Sequence, residues 1–154
     1  MSDLERLLAE YAAGPETLRQ SVANVAADNL DAHPCEGYWS IRQVICHLSD
    51  SETVYADRIK RVIAEDNPTL FDADPNLFCD ALCWSERDIE EELQLIALTR
   101  RQILRILQSC PIEAFQRTGV HSTDGAMTLE TLLERITDHI PHHVRFIEQK
   151  VAAL

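Results

Sequence analysis

A chain of 154 residues with 45% hydrophobic composition is long enough to bury one core and to hide roughly 70% of the surface it would expose unfolded, so one domain over residues 1–154 is expected. Its formal net charge of −12 argues against nucleic acid as a partner, because such binding draws most of its affinity from Lys and Arg neutralising phosphates, and it disfavours anionic membrane surfaces for the same reason. No apolar run approaches the ~20 residues of a membrane span, and the start, MSDLERLLAEY, is acidic and amphipathic rather than a basic, apolar leader; a cytoplasmic protein is expected.

Only four glycines are present, the prolines sit mostly between periodic segments, and Leu, Ile, Ala, Glu and Arg are abundant, the balance of an all-α protein. Leu4, Leu7, Leu8 and Tyr11 repeat at helical spacing up to Gly14-Pro15, and Leu18, Val22 and Val25 resume the pattern to about Asn29. This predicts a first helix, either continuous or broken at Pro15. Residues 31–39 (DAHPCEGYW) read as a loop. Ser40 opens S-I-R-Q, a capping box in which Gln43 reaches back to the cap, and a second helix follows to about Glu65, stopped by Asn67-Pro68. Residues 67–84 carry two prolines and no clear period, and read as a long crossover.

A third helix begins near Ser85–Asp88, keeps its period through Ile89, Leu93, Ile96, Ile103 and Leu107, and ends at Cys110-Pro111. Residues 116–127 read as a loop, and Thr128 caps a fourth helix running to about Ala152. Four long amphipathic helices with a long connection predict a four-helix bundle with a crossover. The five cysteines, Cys35, Cys46, Cys79, Cys83 and Cys110, form an odd set without a C-x-x-C and read as reduced thiols. Cys79 and Cys83 have i,i+4 spacing but no second pair to complete a metal site. Trp39 and Trp84, beside helix starts, read as core anchors, with a substrate-wall role open to one of them.

The histidines are placed by helical angle. At about 100° per residue the apolar residues of the fourth helix gather into one stripe, with His143 roughly 50° from its centre, His139 roughly 90° away on the same side, and His142 about 150° off, facing water. His139 and His143, spaced i,i+4, can place two imidazoles on one cation, as the histidines of H-E-x-x-H do. On the second helix His47 lies on the flank of the apolar stripe, roughly 110° from its middle. Three imidazoles from two facing helices would leave a fourth position for water or substrate; the alternative for His47 is a plain surface or packing role. Pro141 removes the amide that would bond the carbonyl of Thr137, so a kink that sets the angle between His139 and His143 is one expectation and a tolerated bend the other.

Two segments taken together, GYWSIRQVICHLSDSE at residues 37–52 and the stretch from MTLE at residue 127 to DHIPHH at residue 143, resemble the DinB/YfiT superfamily, more closely its YfiT branch. The likeness spans about Ala32 to Gln149. It implies a crossover bundle, frequent homodimers, and a divalent transition metal, nickel or zinc, held by His47, His139 and His143, the same three the angles select. It also implies a chemistry class acting on a small-molecule substrate: metal-dependent hydrolysis, or transfer of a low-molecular-weight thiol such as bacillithiol, mycothiol or glutathione. Pro141 and Asp138 within the last motif depart from the family pattern.

Candidate helpers are Asp50, Ser51, Glu52 and Asp138. Asp50 and Asp138 are near ligands in sequence and could orient an imidazole. Glu52 falls near the middle of the second helix's apolar stripe, where a carboxylate must be hydrogen-bonded or protonated, either as a general base or as a structural bond between helices. Cys46 reads as a core thiol, and His33 and His121 have no partner spacing. The competing class is a non-catalytic metal-binding or stress-associated structural bundle, its site closed by a fourth protein ligand.

Overall fold

Each long helix starts on a side-chain cap that satisfies one of the amides the first turn leaves free. Ser2 and Ser40 form capping boxes with Glu5 and Gln43 at the heads of α1 (Asp3–Val22) and α2 (Ile41–Ala64). Asp74 caps the short α3 (Pro75–Ala81). Asp88 caps α4 (Ile89–Ser109) and Thr128 caps α5 (Leu129–Ala152). The computed structural model describes residues 1–35 and 38–154.

Two apolar clusters fix how the helices run. In one, Tyr11 of α1 meets Ala56, Ile59 and Val62 of α2, Ile103 and Leu107 of α4, and Leu129 to Ile136 of α5. In the other, Leu18 meets Ile41 to Leu48, Leu93 and Ile96, and Ile140 to Ile147. Thus α1 and α5 run one way, and α2 and α4 the other. Packing pairs α1 with α5, α5 with α2, α2 with α4, and α4 with α1, so the neighbours α2 and α4 are parallel. Residues 65–88 must therefore travel the length of the bundle between them, which is the predicted crossover.

The crossover is not structureless. It holds β1 (Thr69–Leu70) and α3, and the segment read as a loop before α5 holds a hairpin of β2 (Thr118–His121) and β3 (Gly125–Thr128). β1 pairs parallel with β2, Leu70 opposite His121, and β2 pairs antiparallel with β3. Strands of two to four residues are too short to show an alternation in sequence. Leu70 and Met127 nevertheless bury their side chains in the first cluster, and Gly119 passes so close to Leu70 and Val62 that a Cβ there would press on both.

Two further expectations are refined. Trp39 and Trp84 are half-buried rather than fully buried; Trp39 packs against the second apolar cluster, and Trp84 belongs to neither. The first helix does not break at Pro15; α1 is continuous to Val22, and a 3₁₀ turn at Ala27–Asn29 follows. Pro15 lacks the amide that would bond the carbonyl of Tyr11, and that carbonyl instead accepts Nη1–H of Arg100 at 2.8 Å. Gly14 leaves the room, since a Cβ there would collide with the Arg100 guanidinium. Arg100, 1% exposed on α4, also donates to Glu52 Oε1 on α2 at 2.8 and 2.6 Å and to the carbonyl of Ile136 on α5 at 2.6 Å, while its guanidinium lies 4.5 Å from the Tyr11 ring centre. One side chain thus ties all four long helices.

Candidate metal centre

His47 projects from α2, and His139 and His143 project from successive turns of α5 on either side of Pro141, with α5 helical throughout. The three rings meet pairwise at centroid distances of 4.8, 4.9 and 4.7 Å. One nitrogen from each lies within 4.8 Å of the other two, and among the described residues this is the one grouping of three or more His, Cys, Asp or Glu close enough to share an ion. His142 is exposed, as its angle requires, and sits edge-on to Phe146. The Trp39 ring packs 5.1 Å from that of His47.

Burial sets the charge of the triad. It drives the His47 pKa down to about 4 against the opposing pull of Asp50. The same cause, reinforced by the neighbouring imidazoles, lowers His139 to about 3 and His143 to about 4. All three rings are therefore neutral at pH 7, and each keeps a lone pair, the state a metal ligand needs.

The residues present fit a divalent transition ion. Nε2 of His47 and Nε2 of His139 stand 3.0 Å apart; two imidazole nitrogens about 2.0–2.1 Å from one ion are separated by about 2.9 Å at a right angle and about 3.4 Å at a tetrahedral one. Three imidazoles suit zinc, nickel, copper or iron. Nδ1 of His139 is buried without a protein partner, so no neighbouring acid fixes that ring.

Of the proposed helpers, Asp50 and Ser51 line the same cavity as His47. Asp50 takes two N–H groups of Arg87 at 3.0 and 2.9 Å, and Arg87 also holds Glu92. Glu52 is bound to Arg100, the inter-helix bond that was one of its two expected roles; burial raises its pKa and Arg100 opposes the rise. Asp138 is exposed. Cys46 is buried, its pKa pushed up to about 11 by burial, so it is a protonated core thiol. Of Cys79 and Cys83, the first is buried and the second exposed.

A cavity of about 170 Å³ opens on the His47 side, walled by His47, Ser51, Tyr55, Arg58, His121 and Arg135 among others. A second, of about 270 Å³, opens on the His143 side against Tyr38, Trp39, Phe146 and Lys150. His121, which sequence reasoning left unassigned, is 5% exposed at the end of β2. Its Nδ1 faces the amides of Thr123 and Asp124, both at 3.3 Å, and so must accept; the ring hydrogen is then on Nε2, which lies 3.9 Å from Asp72 Oδ1. No spacing signal in the sequence marks it, because its partners belong to the hairpin turn.

A crossover bundle with parallel α2 and α4 and a histidine triad between α2 and α5 defines a narrow class. The DinB superfamily family model matches residues 10–147, and the chain belongs to that superfamily. It is 27% identical over 133 residues to a candidate metal-dependent hydrolase of Oceanobacillus iheyensis, covering 86% of this chain and 77% of the relative. It is 26% identical over 136 residues to the candidate metal-dependent hydrolase YfiT of Bacillus subtilis, covering 88% and 76%. The solved structure of YfiT, described as an unusual four-helix bundle, superposes with a TM-score of 0.91 at 24% identity over 99% of this chain and 89% of that one. A mycothiol-dependent maleylpyruvate isomerase shares the fold at TM-score 0.74 and 13% identity, with 94% of this chain matching 60% of its length. Among the described residues no helix is long and apolar enough to cross a membrane.

Proposed function

We propose that the protein is a metal-dependent hydrolase of small molecules, with His47, His139 and His143 as ligands of zinc or nickel. The observation that carries this reading is the convergence of three part-buried, neutral imidazoles from two helices beside a cavity. A bound ion of this kind supplies Lewis acidity and a water acidic near pH 7. The chain's own residues then have distinct tasks. α2 and α5 hold the imidazoles at fixed angles, and the apolar surround keeps them unprotonated. The Trp39 ring packs on His47 and limits water on that flank. His121 presents Nε2–H to the cavity and is placed to donate to a carbonyl oxygen or to a departing group.

A thiol-dependent transfer is favoured by a second observation, two separate cavities, one lined by His47 and the other by His143, which would seat a thiol and an electrophile separately. Full-length protein purified without chelator is expected to carry about one transition-metal equivalent per chain, lost in His139→Ala. Metal-dependent ester hydrolysis would uphold the hydrolase reading, and thiol consumption with a model electrophile that depends on metal and on His47 would replace it. Absence of metal after reconstitution with zinc, nickel and iron would refute both.

A further inference from the structure

Arg58 stands out among the charges of the His47-side cavity. It is 6% exposed, and among the described residues no carboxylate comes within salt-bridge distance of it. Among the other arginines, the buried Arg100 and the part-buried Arg42 and Arg87 each hold one. Arg58 has one hydrogen bond, from Nη2 to the carbonyl of Phe71 at 2.6 Å, and lies 4.9 Å from the Tyr55 ring centre. Its Nε is buried with no partner. In a chain with 26 acids and 14 bases, a buried guanidinium without an acid is not forced by composition, and buried charges are ordinarily paired.

The acids that share the cavity wall do not compensate it. Asp50 is occupied by Arg87 and Asp124 by Arg135. Asp72 is half-exposed, its nearest cation-capable group being His121 at 3.9 Å. Arg58 is therefore, among the described residues, the cation of this cavity that no carboxylate pairs, whereas Arg135 is held by Asp124.

The helix supplies a ruler. Arg58 follows His47 by eleven residues on one face of α2, about 16 Å along the axis, and its longer side chain leans back toward the N-terminus, which shortens the span to the triad. Ser51, Val54 and Tyr55 pave the interval and line the same cavity.

We propose that Arg58 is the specificity residue of this cavity, holding the carboxylate of a small, elongated substrate whose other end reaches the histidine triad. The inference deepens the small-molecule reading above and rests on it for the direction of the substrate. A cavity smaller than the ~300–1,000 Å³ of drug-sized sites sets the size. The guanidinium fork matches a carboxylate in plane, and the three aspartates on the wall favour a single negative charge over a phosphate dianion.

Calorimetry on the full-length chain, as purified and again after metal removal, tests this with pentanoate, pentanamide and inorganic phosphate. Pentanoate is expected to bind at least tenfold more tightly than pentanamide or phosphate in both forms. Arg58→Gln should remove that preference, and Arg58→Lys should keep part of it. Equal binding of pentanoate and its amide, no pentanoate binding at millimolar concentration, tighter phosphate binding, or an unchanged preference in Arg58→Gln would each overturn the proposal. The comparison of acid with amide needs no variant, so it stands even if Arg58→Gln fails to fold. The metal-free arm separates the two readings: an Arg58-dependent preference that survives there is independent of whether the triad holds metal or hydrolyses anything.

Discussion

The protein buries two polar clusters close together along α5, and they solve opposite problems. Around Arg100, four N–H bonds reach Glu52, the Tyr11 carbonyl and the Ile136 carbonyl, and the helices close over a cation whose donors are nearly all used. Around His139, one turn further on, three imidazoles meet, Nε2 of His47 and Nε2 of His139 facing each other at 3.0 Å and Nδ1 of His139 unpartnered. The Arg100 knot, its cation bonded on four sides although Glu52 Oε2 has no partner, stabilises the native arrangement; the triad keeps capacity to bind. The difference shows that burial alone does not mark a functional group. What marks this one is three imidazole nitrogens close enough to share an ion.

The sharpest way to break this contrast is to remove one member from each cluster. Arg100→Met leaves Glu52 as a buried carboxylate without its cation and strips a donor from two carbonyls, so a loss of about 3–5 kcal/mol in denaturant unfolding is expected. His139→Ala should change the stability of the metal-free chain by no more than about 1 kcal/mol, because the lost packing is offset by removal of an unpartnered nitrogen, yet it should abolish metal retention. Equal destabilisation by the two substitutions would show that the triad is a structural knot as well.

Acid should destabilise the metal-free chain through the triad. The folded pKa values of about 4, 3 and 4 lie below the unfolded value of about 6.5, so between these limits the unfolded chain binds more protons and stability rises with pH. Metal-free protein should therefore lose stability as pH falls from about 6.5 toward 3–4 and show no such dependence above 7. His139→Ala should flatten that slope by about one proton's worth. A metal-free chain equally stable at pH 7 and pH 4.5 would mean that the rings are solvated rather than buried.

How much of this was legible depends on where each residue finds its partners. The triad could be read because two of its members share a helix at i,i+4, and helical angle places His47 beside them. The capping box at Ser40 was legible for the same local reason, as was the crossover between α2 and α4. Arg58, Arg100 and His121 were not, since their roles arise only when α4, the Phe71 carbonyl or the hairpin turn is brought against them. Asp50 and Asp138 show the converse: nearness to a ligand in sequence gave neither a hydrogen bond to an imidazole, because Asp50 turns to Arg87 and Asp138 to solvent. Gly14-Pro15 was legible as an irregularity, but its role in admitting Arg100 was not.

That dipeptide gives the finest test of the comparison, because ordinary helix propensity predicts the wrong sign for it. Glycine in a helix interior costs about 0.5–1 kcal/mol relative to alanine and proline about 3, so alanine at either position should stabilise a helix that merely tolerated them. In this fold Gly14→Ala drives a methyl into the Arg100 guanidinium, which three other helices hold in place, and should destabilise by about 1–3 kcal/mol. Pro15→Ala restores an amide, but the carbonyl it would bond already accepts from Arg100, so its gain should stay below about 1 kcal/mol. In the Arg100→Met background that competition is gone, and Pro15→Ala should recover a larger stabilisation, read as a coupling in a double-mutant cycle. Additive effects of Pro15→Ala and Arg100→Met would separate the proline from the knot and return it to a tolerated irregularity of α1.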